Sequence, residues 1–405
     1  MNNNFKLNIS TDNGLGEVGI WFKNNTLTII FPKNYTFDDN NLYNDISLLS
    51  QCLEKYSKIK LQKNVYTTSL DESSYIGQSD FSFMSLFKLI NNYIENGYYS
   101  EVDKYYKING KHNIDFVRTT NKFSPYIIDD NFLFLDHITR STKTNHSNPL
   151  TQIHKYVIEN AFAIIGFFYP QVEYESNCTL PFSKSYCISI LEKTINETFN
   201  DDKRAFFEML LSFFKIVKLN NSDVVFYHCK KFDVIWERML HSLLSNQDVS
   251  DYYFNSTWNL IDPPKIKTNS PSRPDLINIS QSYNLLNIYI IDAKYYTYSS
   301  TNYDGTLPST SDINKQILYK YNAKMIVEKK FPGFSYNYVN CFILPKDSSG
   351  SPLNYLGYAI SDFDKEEIVQ AFSIDIKLIM KNYIKSYKST TFENYVLSFI
   401  NKFSI

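Results

Sequence analysis

The sequence predicts an α/β protein whose C-terminal part is built on a mixed β-sheet flanked by helices. From about residue 230 the apolar pattern alternates between helical and strand spacing, in the order helix, strand, strand, helix, strand, strand, helices. Two apolar runs between residues 276 and 293 are bounded by turn-forming residues, as in a β-hairpin. At 405 residues with 43% hydrophobic residues, the chain is long enough for two or three domains.

These patterns divide the chain into three predicted segments. Residues 1–145 are expected to form an N-terminal α+β domain that makes partner or DNA contacts. Residues 146–229 are expected to form a helical connecting region, and residues 230–405 the C-terminal α/β domain.

The N-terminal half begins with a glycine motif, Gly14-Leu-Gly-Glu-Val-Gly19, that matches G-x-G-x-x-G. A dinucleotide site needs a helix after this motif, but a β-hairpin over residues 18–32 is predicted instead, which excludes that function. Apolar residues at helical spacing predict helices further along, and an alternating run predicts a strand at residues 114–119. The helices are predicted at residues 46–61, 81–97 and 151–168, with one or two more in 188–217.

The C-terminal half begins with a predicted helix over residues 232–244, which has a buried stripe and carries Glu237 at the edge of that stripe. A hairpin follows, and residues 298–307 form a polar loop. Ser311 or Asp312 is expected to cap the next helix. Two strands and two helices complete the prediction, at residues 336–344, 353–360, 366–384 and 391–403.

Composition and charge exclude several classes of protein. No apolar run approaches the roughly 18 residues that span a bilayer, and the N-terminus has no signal core, so a cytoplasmic protein without membrane contact is expected. Five cysteines without paired spacing indicate reduced thiols rather than a disulfide framework or a zinc site. The net charge of −1 neither indicates nor excludes nucleic-acid binding, because local patches decide that property.

The predicted hairpin carries the residues on which a functional hypothesis depends. Its first strand opens at Pro274-Asp275 and its second ends at Asp292-Ala293-Lys294. Asp292 and Lys294 point the same way, because side chains alternate along a strand. An acid and a lysine on a buried strand are costly without compensation, which a divalent metal shared by Asp275 and Asp292 would provide. The alternative is a structural ion pair between Asp292 and Lys294, with Asp275 as a helix or turn cap.

Phosphodiester hydrolysis suits these residue types. One or two Mg²⁺ ions activate a water and stabilise the charge on the phosphate and on the leaving group. Magnesium prefers oxygen ligands, which Asp275, Asp292 and the backbone carbonyl of Ala293 would supply. Lys294 would orient or deprotonate the water, or hold the scissile phosphate; these three roles stay open.

Pro274-Asp275 and Asp292-Ala293-Lys294 together resemble the motif of the PD-(D/E)xK nuclease superfamily. With Ile235-Trp-Glu-Arg-Met239 upstream and Asp312-Ile-Asn-Lys-Gln-Ile-Leu-Tyr319 downstream, the chain resembles the LlaJI-type restriction endonucleases, which are McrC-like nuclease subunits. The resemblance covers most of residues 80–405.

The resemblance implies a PD-(D/E)xK nuclease domain with a defined site. Asp275 and Asp292 are then metal ligands for Mg²⁺, with Mn²⁺ as a substitute, and Lys294 is the catalytic lysine. Glu237 matches the helical acid of the core, as a further catalytic and metal-binding residue. Gln316 matches a glutamine on the helix after the lysine strand, although position 320 is Lys where the family often has Tyr.

The resemblance also implies partners. These are double-stranded DNA and a separately encoded McrB-like AAA+ GTPase, and a homodimer or a higher assembly would allow both DNA strands to be cut. Two alternatives stay open. One is a repair or recombination nuclease of the same fold that acts from DNA ends. The other is a non-catalytic adaptor that regulates an AAA+ ring.

Overall fold

The computed structural model describes most of the chain, in two compact units. The described residues are 6–62, 75–78, 81–128, 131–145, 147–172, 174, 179–180, 182–216, 224–298, 307–385 and 387–403. The inserted unit spans Asp80–Val224, and the split unit combines Lys6–Ser79 with Val225–Ile405. The boundaries predicted at residues 145 and 229 stay predictions.

Helices and strands are interspersed along the chain. The α-helices of the described residues are α1 (Leu42–Gln62), α2 (Phe83–Asn96), α3 (Phe116–Lys122), α4 (Pro149–Ile165), α5 (Lys184–Glu197), α6 (Asp201–Ile216), α7 (Phe232–Leu244), α8 (Thr310–Lys330), α9 (Ile376–Tyr383) and α10 (Thr390–Asn401). The strands are β1 (Lys6–Thr11), β2 (Val18–Lys23), β3 (Thr26–Phe31), β4 (Tyr75–Gln78), β5 (Glu101–Ile108), β6 (Asn113–Ile114), β7 (Tyr126–Ile128), β8 (Asn131–Leu133), β9 (Ile138–Asn145), β10 (Val224–Cys229), β11 (Thr257–Leu260), β12 (Lys265–Thr268), β13 (Leu276–Ser282), β14 (Leu285–Ala293), β15 (Ser335–Lys346), β16 (Leu353–Ser361) and β17 (Asp364–Asp375).

The split unit contains two five-stranded sheets. The first has the order β1-β3-β2-β10-β4, and its β2–β3 hairpin confirms the hairpin predicted at residues 18–32. Gly19, the last glycine of the G-x-G-x-x-G motif, lies in this sheet. A Cβ on Gly19 would lie 2.3 Å from the backbone oxygen of Tyr227, so only glycine permits β2 to approach β10 so closely.

The second sheet has the order β13-β14-β15-β17-β16 and is mixed. β13 is antiparallel to β14, β14 and β17 are both parallel to β15, and β16 is antiparallel to β17. Helix α8 connects the parallel strands β14 and β15 and packs on the sheet, where Ile288 and Ile290 meet Tyr319, Ala323 and Val327. Helix α7 packs on β13 and β14, as its apolar stripe requires.

The inserted unit is the smaller of the two and contains both helices and strands. Its three-stranded sheet has the order β5-β9-β6, and β7 and β8 form a separate hairpin. Helix α4 packs on α2, α5 and α6. The predicted helices over 81–97 and 151–168 are therefore confirmed as α2 and α4, within three residues at each end.

Two local predictions are wrong, and a third is mostly untested. The segment 114–119 is not a strand beyond Ile114, because the Asp115 side chain accepts a hydrogen bond from the Arg118 backbone nitrogen (3.0 Å) and caps α3. The cap of α8 is Ser309, which forms a capping box with Asp312. Most of the polar loop predicted at 298–307 lies outside the described residues.

The helix predicted over residues 366–384 is wrong in its first half. Strand β17 (Asp364–Asp375) fills that half, inserted between β15 and β16. The helix α9 begins only after Asp375, whose side chain accepts hydrogen bonds from the backbone nitrogens of Lys377 and Leu378. Pairing with two neighbouring strands outweighed the local helical pattern.

The mixed α+β class with mixed sheets flanked by helices is confirmed. The cysteines in the described residues, Cys52, Cys187, Cys229 and Cys341, are buried and form no disulfide with one another, while Cys178 lies outside those residues. In the described part of the chain, we find no helix with the length and apolar character needed to span a bilayer.

Candidate active site

The β13–β14 hairpin brings the two predicted aspartates together. Leu276 pairs with Ile291, so Asp275 and Asp292 each stand one residue beyond the same register pair. The backbone nitrogen of Ala293 donates a hydrogen bond to Asp275 Oδ2 at 2.7 Å. The half-buried Asp275 side chain therefore ties the start of one strand to the end of the next, and it does not cap a turn.

Lys294 lies between two acids at the end of β14. Its Nζ is 2.8 Å from Asp292 Oδ2 and 2.8 Å from Asp312 Oδ1. Asp292 is 5% exposed. The ion pair of the structural alternative is thus present, and the second acid comes from the first turn of α8.

The surroundings of Asp275, Asp292 and Glu237 disfavour the charged form of each carboxyl group. Burial and the charges of Asp292 and Glu237 raise the pKa of Asp275 well above its ordinary value. Burial also raises the pKa of Asp292, against the opposing effect of Lys294. Burial together with the charges of Asp233 and Asp292 raises the pKa of Glu237 to about 7. The three carboxylates are therefore close enough to repel one another.

Lys294 is held in its charged form. Burial alone would lower its pKa, but the Asp292 charge and the hydrogen bonds to Asp292 and Asp312 raise it above the ordinary lysine value. Although burial opposes the shift, the hydrogen bond from Lys294 lowers the pKa of Asp312 to about 2. These contacts favour the ammonium form of Lys294, which donates hydrogen bonds to both acids.

The raised pKa of Glu237 predicts a pH-dependent stability difference between the wild type and Glu237→Gln. The folded protein holds the proton of Glu237 up to a pKa of about 7, whereas the unfolded chain releases it near the ordinary pKa of 4.5. Ionisation thus costs stability as the pH rises through this window. Relative to the variant, the wild type should lose on the order of 1–2 kcal/mol of unfolding free energy between pH 4.5 and 7.5, after allowance for solvent screening. Urea unfolding of the wild type and the variant at pH 4.5 and pH 7.5 measures this difference in unfolding free energy.

The matched control for this prediction is Glu366→Gln, because Glu366 is exposed on β17. Its stability difference from the wild type should be the same at both pH values. Equal pH profiles for Glu237→Gln and the wild type would contradict the burial of a repelled carboxylate at this position.

Gln316 and Ala293 are placed differently from the two aspartates. Gln316 is 1% exposed, and its Nε2 donates to the backbone oxygens of Ile290 (3.0 Å) and Cys341 (3.4 Å). Its amide nitrogen thus binds the sheet, while its Oε1 accepts no hydrogen bond from a described residue. The catalytic role of Gln316 and the ligand role of the Ala293 carbonyl stay predictions.

Three charged residues of this region were not found from the sequence. Asp312 was expected only as a possible cap, and its ion pair with Lys294 joins residues 18 positions apart. Lys315 lowers the pKa of Asp292, and Arg273 lowers that of Glu237, in each case against burial. The available signals were weak: Lys315 follows Asp312 by one helical turn, and Arg273 directly precedes Pro274.

The donor set suits a divalent cation. Magnesium is bound through one or two carboxylates and keeps several waters, which matches Asp275 and Asp292 at adjacent strand ends. A cation there would also relieve the repulsion that raises the pKa values of these acids. Across the described ranges, no group of three or more His, Cys, Asp or Glu side chains is arranged to hold a metal ion. The hairpin register places the carboxyl groups of Asp275 and Asp292 at adjacent strand ends.

Comparisons with known proteins found a family model, a curated relative and a solved structure. The chain is 24% identical over 398 residues to the type II restriction enzyme BsuMI component YdjA of Bacillus subtilis (strain 168), with 92% of this chain and 81% of that protein covered. Among solved structures, it is similar to a chain of the refined half-complex from the tetradecameric assembly of Thermococcus gammatolerans McrB AAA+ hexamers with bound McrC. The identity is 13% and the TM-score is 0.34, and the match covers 92% of this chain and 82% of that chain. The family model for the LlaJI restriction endonuclease matches residues 17–377. The resemblance predicted from the sequence is confirmed, and the chain belongs to the LlaJI restriction endonuclease family.

Proposed function

We propose that this chain is the DNA-cleaving subunit of a restriction system and hydrolyses phosphodiester bonds in double-stranded DNA with Mg²⁺. One observation carries the proposal: the two aspartates and the charged Lys294 meet at adjacent strand ends of a mixed sheet. Membership of the LlaJI family supports the same reaction. The PD-(D/E)xK core is part of this proposal.

Each residue has a stated role in the proposed reaction. Asp275 and Asp292 would hold the divalent ion, with Glu237 and the Ala293 carbonyl completing the oxygen ligands. The bound ion would supply Lewis-acid stabilisation of charge at the scissile phosphate. Lys294, as an ammonium group, would donate to a phosphate oxygen and stabilise the negative charge that develops there. Asp292 and Asp312 orient it for that contact.

We further infer that cleavage depends on a McrB-like AAA+ GTPase. The sequence contains no Walker loop, which agrees with a nucleotide-hydrolysing motor on a separate chain. The Bacillus relative is described as a component of a restriction enzyme, which supports a multi-subunit assembly for this chain as well.

The test is cleavage of closed-circular plasmid by the purified chain, alone and with a McrB-like AAA+ GTPase plus GTP. We expect nicked and linear products with Mg²⁺ or Mn²⁺, none with EDTA, and recovery when excess Mg²⁺ is added back. Catalysis by bound metal predicts this reversibility.

The outcomes separate the alternatives. Cleavage of linear DNA with none of the closed circle would replace the restriction function by a repair or recombination nuclease. Absence of any cleavage, together with a change in the GTPase rate of the AAA+ protein, would identify a non-catalytic adaptor.

A further inference from the structure

A two-stranded ribbon, residues 257–268, belongs to the split unit. In the chain it follows α7 and precedes Asp275 of the candidate active site. Strands β11 and β12 pair antiparallel, and all eight of their residues are exposed. Trp258 lies opposite Lys267, and Leu260 lies opposite Lys265. Because side chains alternate along strands, these four side chains share one face. The ribbon therefore presents a face of two apolar and two cationic groups to solvent.

The charge of this face is uncompensated. Neither Lys265 nor Lys267 has an ion-pair partner among the residues that the structure describes. The one acid within residues 257–268 is Asp262, in the turn. An exposed face with two free ammonium groups and a tryptophan suits a polyanion that also offers flat apolar surface, which describes DNA.

The base of the ribbon is fixed beside the aspartates. The backbones of Phe254 and Ser272 exchange hydrogen bonds of 3.3 and 2.9 Å below the ribbon. The Phe254 ring packs edge-on against Tyr319 of α8, with ring centroids 6.0 Å apart. Ser272 precedes Asp275 by three residues, so their Cα atoms lie at most about 11 Å apart. The ribbon thus starts from a rigid point next to the site where a phosphate would be cut.

We propose that the ribbon is a DNA-binding arm that lies in a groove of the double helix beside the scissile phosphate. Lys265 and Lys267 contact phosphates, and Trp258 packs against sugar or base surface. A two-stranded ribbon fits the major groove, which is about 12 Å wide. This inference rests on the proposed nuclease function, since it names how that site holds its substrate.

The first experiment measures DNA binding by the full-length chain in EDTA, with a fluorescent duplex titrated at several salt concentrations. Each lysine that neutralises a phosphate contributes about 0.9 to the slope of log affinity against log salt. The double variant Lys265→Ala, Lys267→Ala should therefore reduce this slope by about 2. The control is Lys381→Ala, Lys402→Ala, which makes the same charge change at exposed sites outside the ribbon and should leave the slope unchanged.

The second variant is Trp258→Ala. Trp258 is 60% exposed, so the substitution should leave the melting temperature unchanged. It should weaken binding by about tenfold, the loss expected when one aromatic contact to the nucleic acid is removed. DNA should also protect the Trp258 fluorescence from iodide quenching.

The results separate this proposal from the proposed function. If the wild-type chain bound DNA but never cut it, the proposed nuclease function would be wrong. The DNA affinities of the ribbon variants would still test whether the ribbon is a DNA-binding arm. If the ribbon variants kept the wild-type DNA affinity and salt slope, the proposed DNA-binding arm would be wrong. The proposed nuclease function would be unaffected. Failure of the wild type to bind DNA at low salt would overturn the arm as well. Variants that bind DNA normally but lose the AAA+ protein would assign the ribbon to that partner instead.

Discussion

Asp275→Asn is expected to lower DNA cleavage by at least roughly 10²–10³-fold, the loss typical of removing a principal electrostatic group from a site. Asparagine keeps the oxygen that accepts the hydrogen bond from the Ala293 nitrogen, so the tie between the strands survives. It removes a charge that burial and two neighbouring acids disfavour. The melting temperature at pH 7.5 should therefore stay the same or rise while activity is lost.

Plasmid cleavage rates and thermal melts of the same preparations measure both effects. The control is Asp362→Asn, a change of acid to amide at a side chain that is 98% exposed, and it should alter neither quantity. Wild-type cleavage by Asp275→Asn would instead indicate that this acid only fastens the hairpin through its hydrogen bond with the Ala293 nitrogen.

Lys294→Ala is expected to abolish cleavage to a similar extent but to move stability in the opposite direction. The substitution leaves Asp292 and Asp312 without the ammonium group that lies 2.8 Å from each. Uncompensated, partly buried acids should cost about 1–3 kcal/mol of unfolding free energy. Urea unfolding and plasmid cleavage report the two effects separately.

Two further variants distinguish charge from general destabilisation. Lys320→Ala breaks the ion pair of Lys320 with Glu367, which is also half-buried, and should reduce stability without loss of cleavage. Lys294→Arg keeps the charge and much of the stability, but the planar guanidinium cannot occupy the position of a compact ammonium, so cleavage should stay low. Equal loss of cleavage in Lys320→Ala and Lys294→Ala would contradict a specific role for Lys294.

The parts of the site that the sequence predicted well are those encoded by local patterns. Helix α7 spans the predicted residues 232–244, because its apolar stripe and its ends are local features. The hairpin register follows from one short turn, in which Tyr283 adopts a positive φ of 52°. Given that register, Asp275 and Asp292 must meet.

Other features depend on partners distant in sequence, and only the tertiary structure decided them. Tyr295, directly after Lys294, accepts a hydrogen bond from the backbone nitrogen of Lys33 at 2.6 Å, across 262 residues. The first half of residues 366–384 became strand β17 because two strands flank it.

The position of Lys294 follows from the sequence, whereas its charged state also depends on the tertiary structure. Its place beside Asp292 follows from the two-residue alternation of a strand, which the sequence alone determines. Its charged state depends also on Asp312, which reaches it from the first turn of α8 after a change of chain direction. Alternation is a property of neighbouring residues, whereas an ion pair between elements exists only once α8 has packed on the sheet.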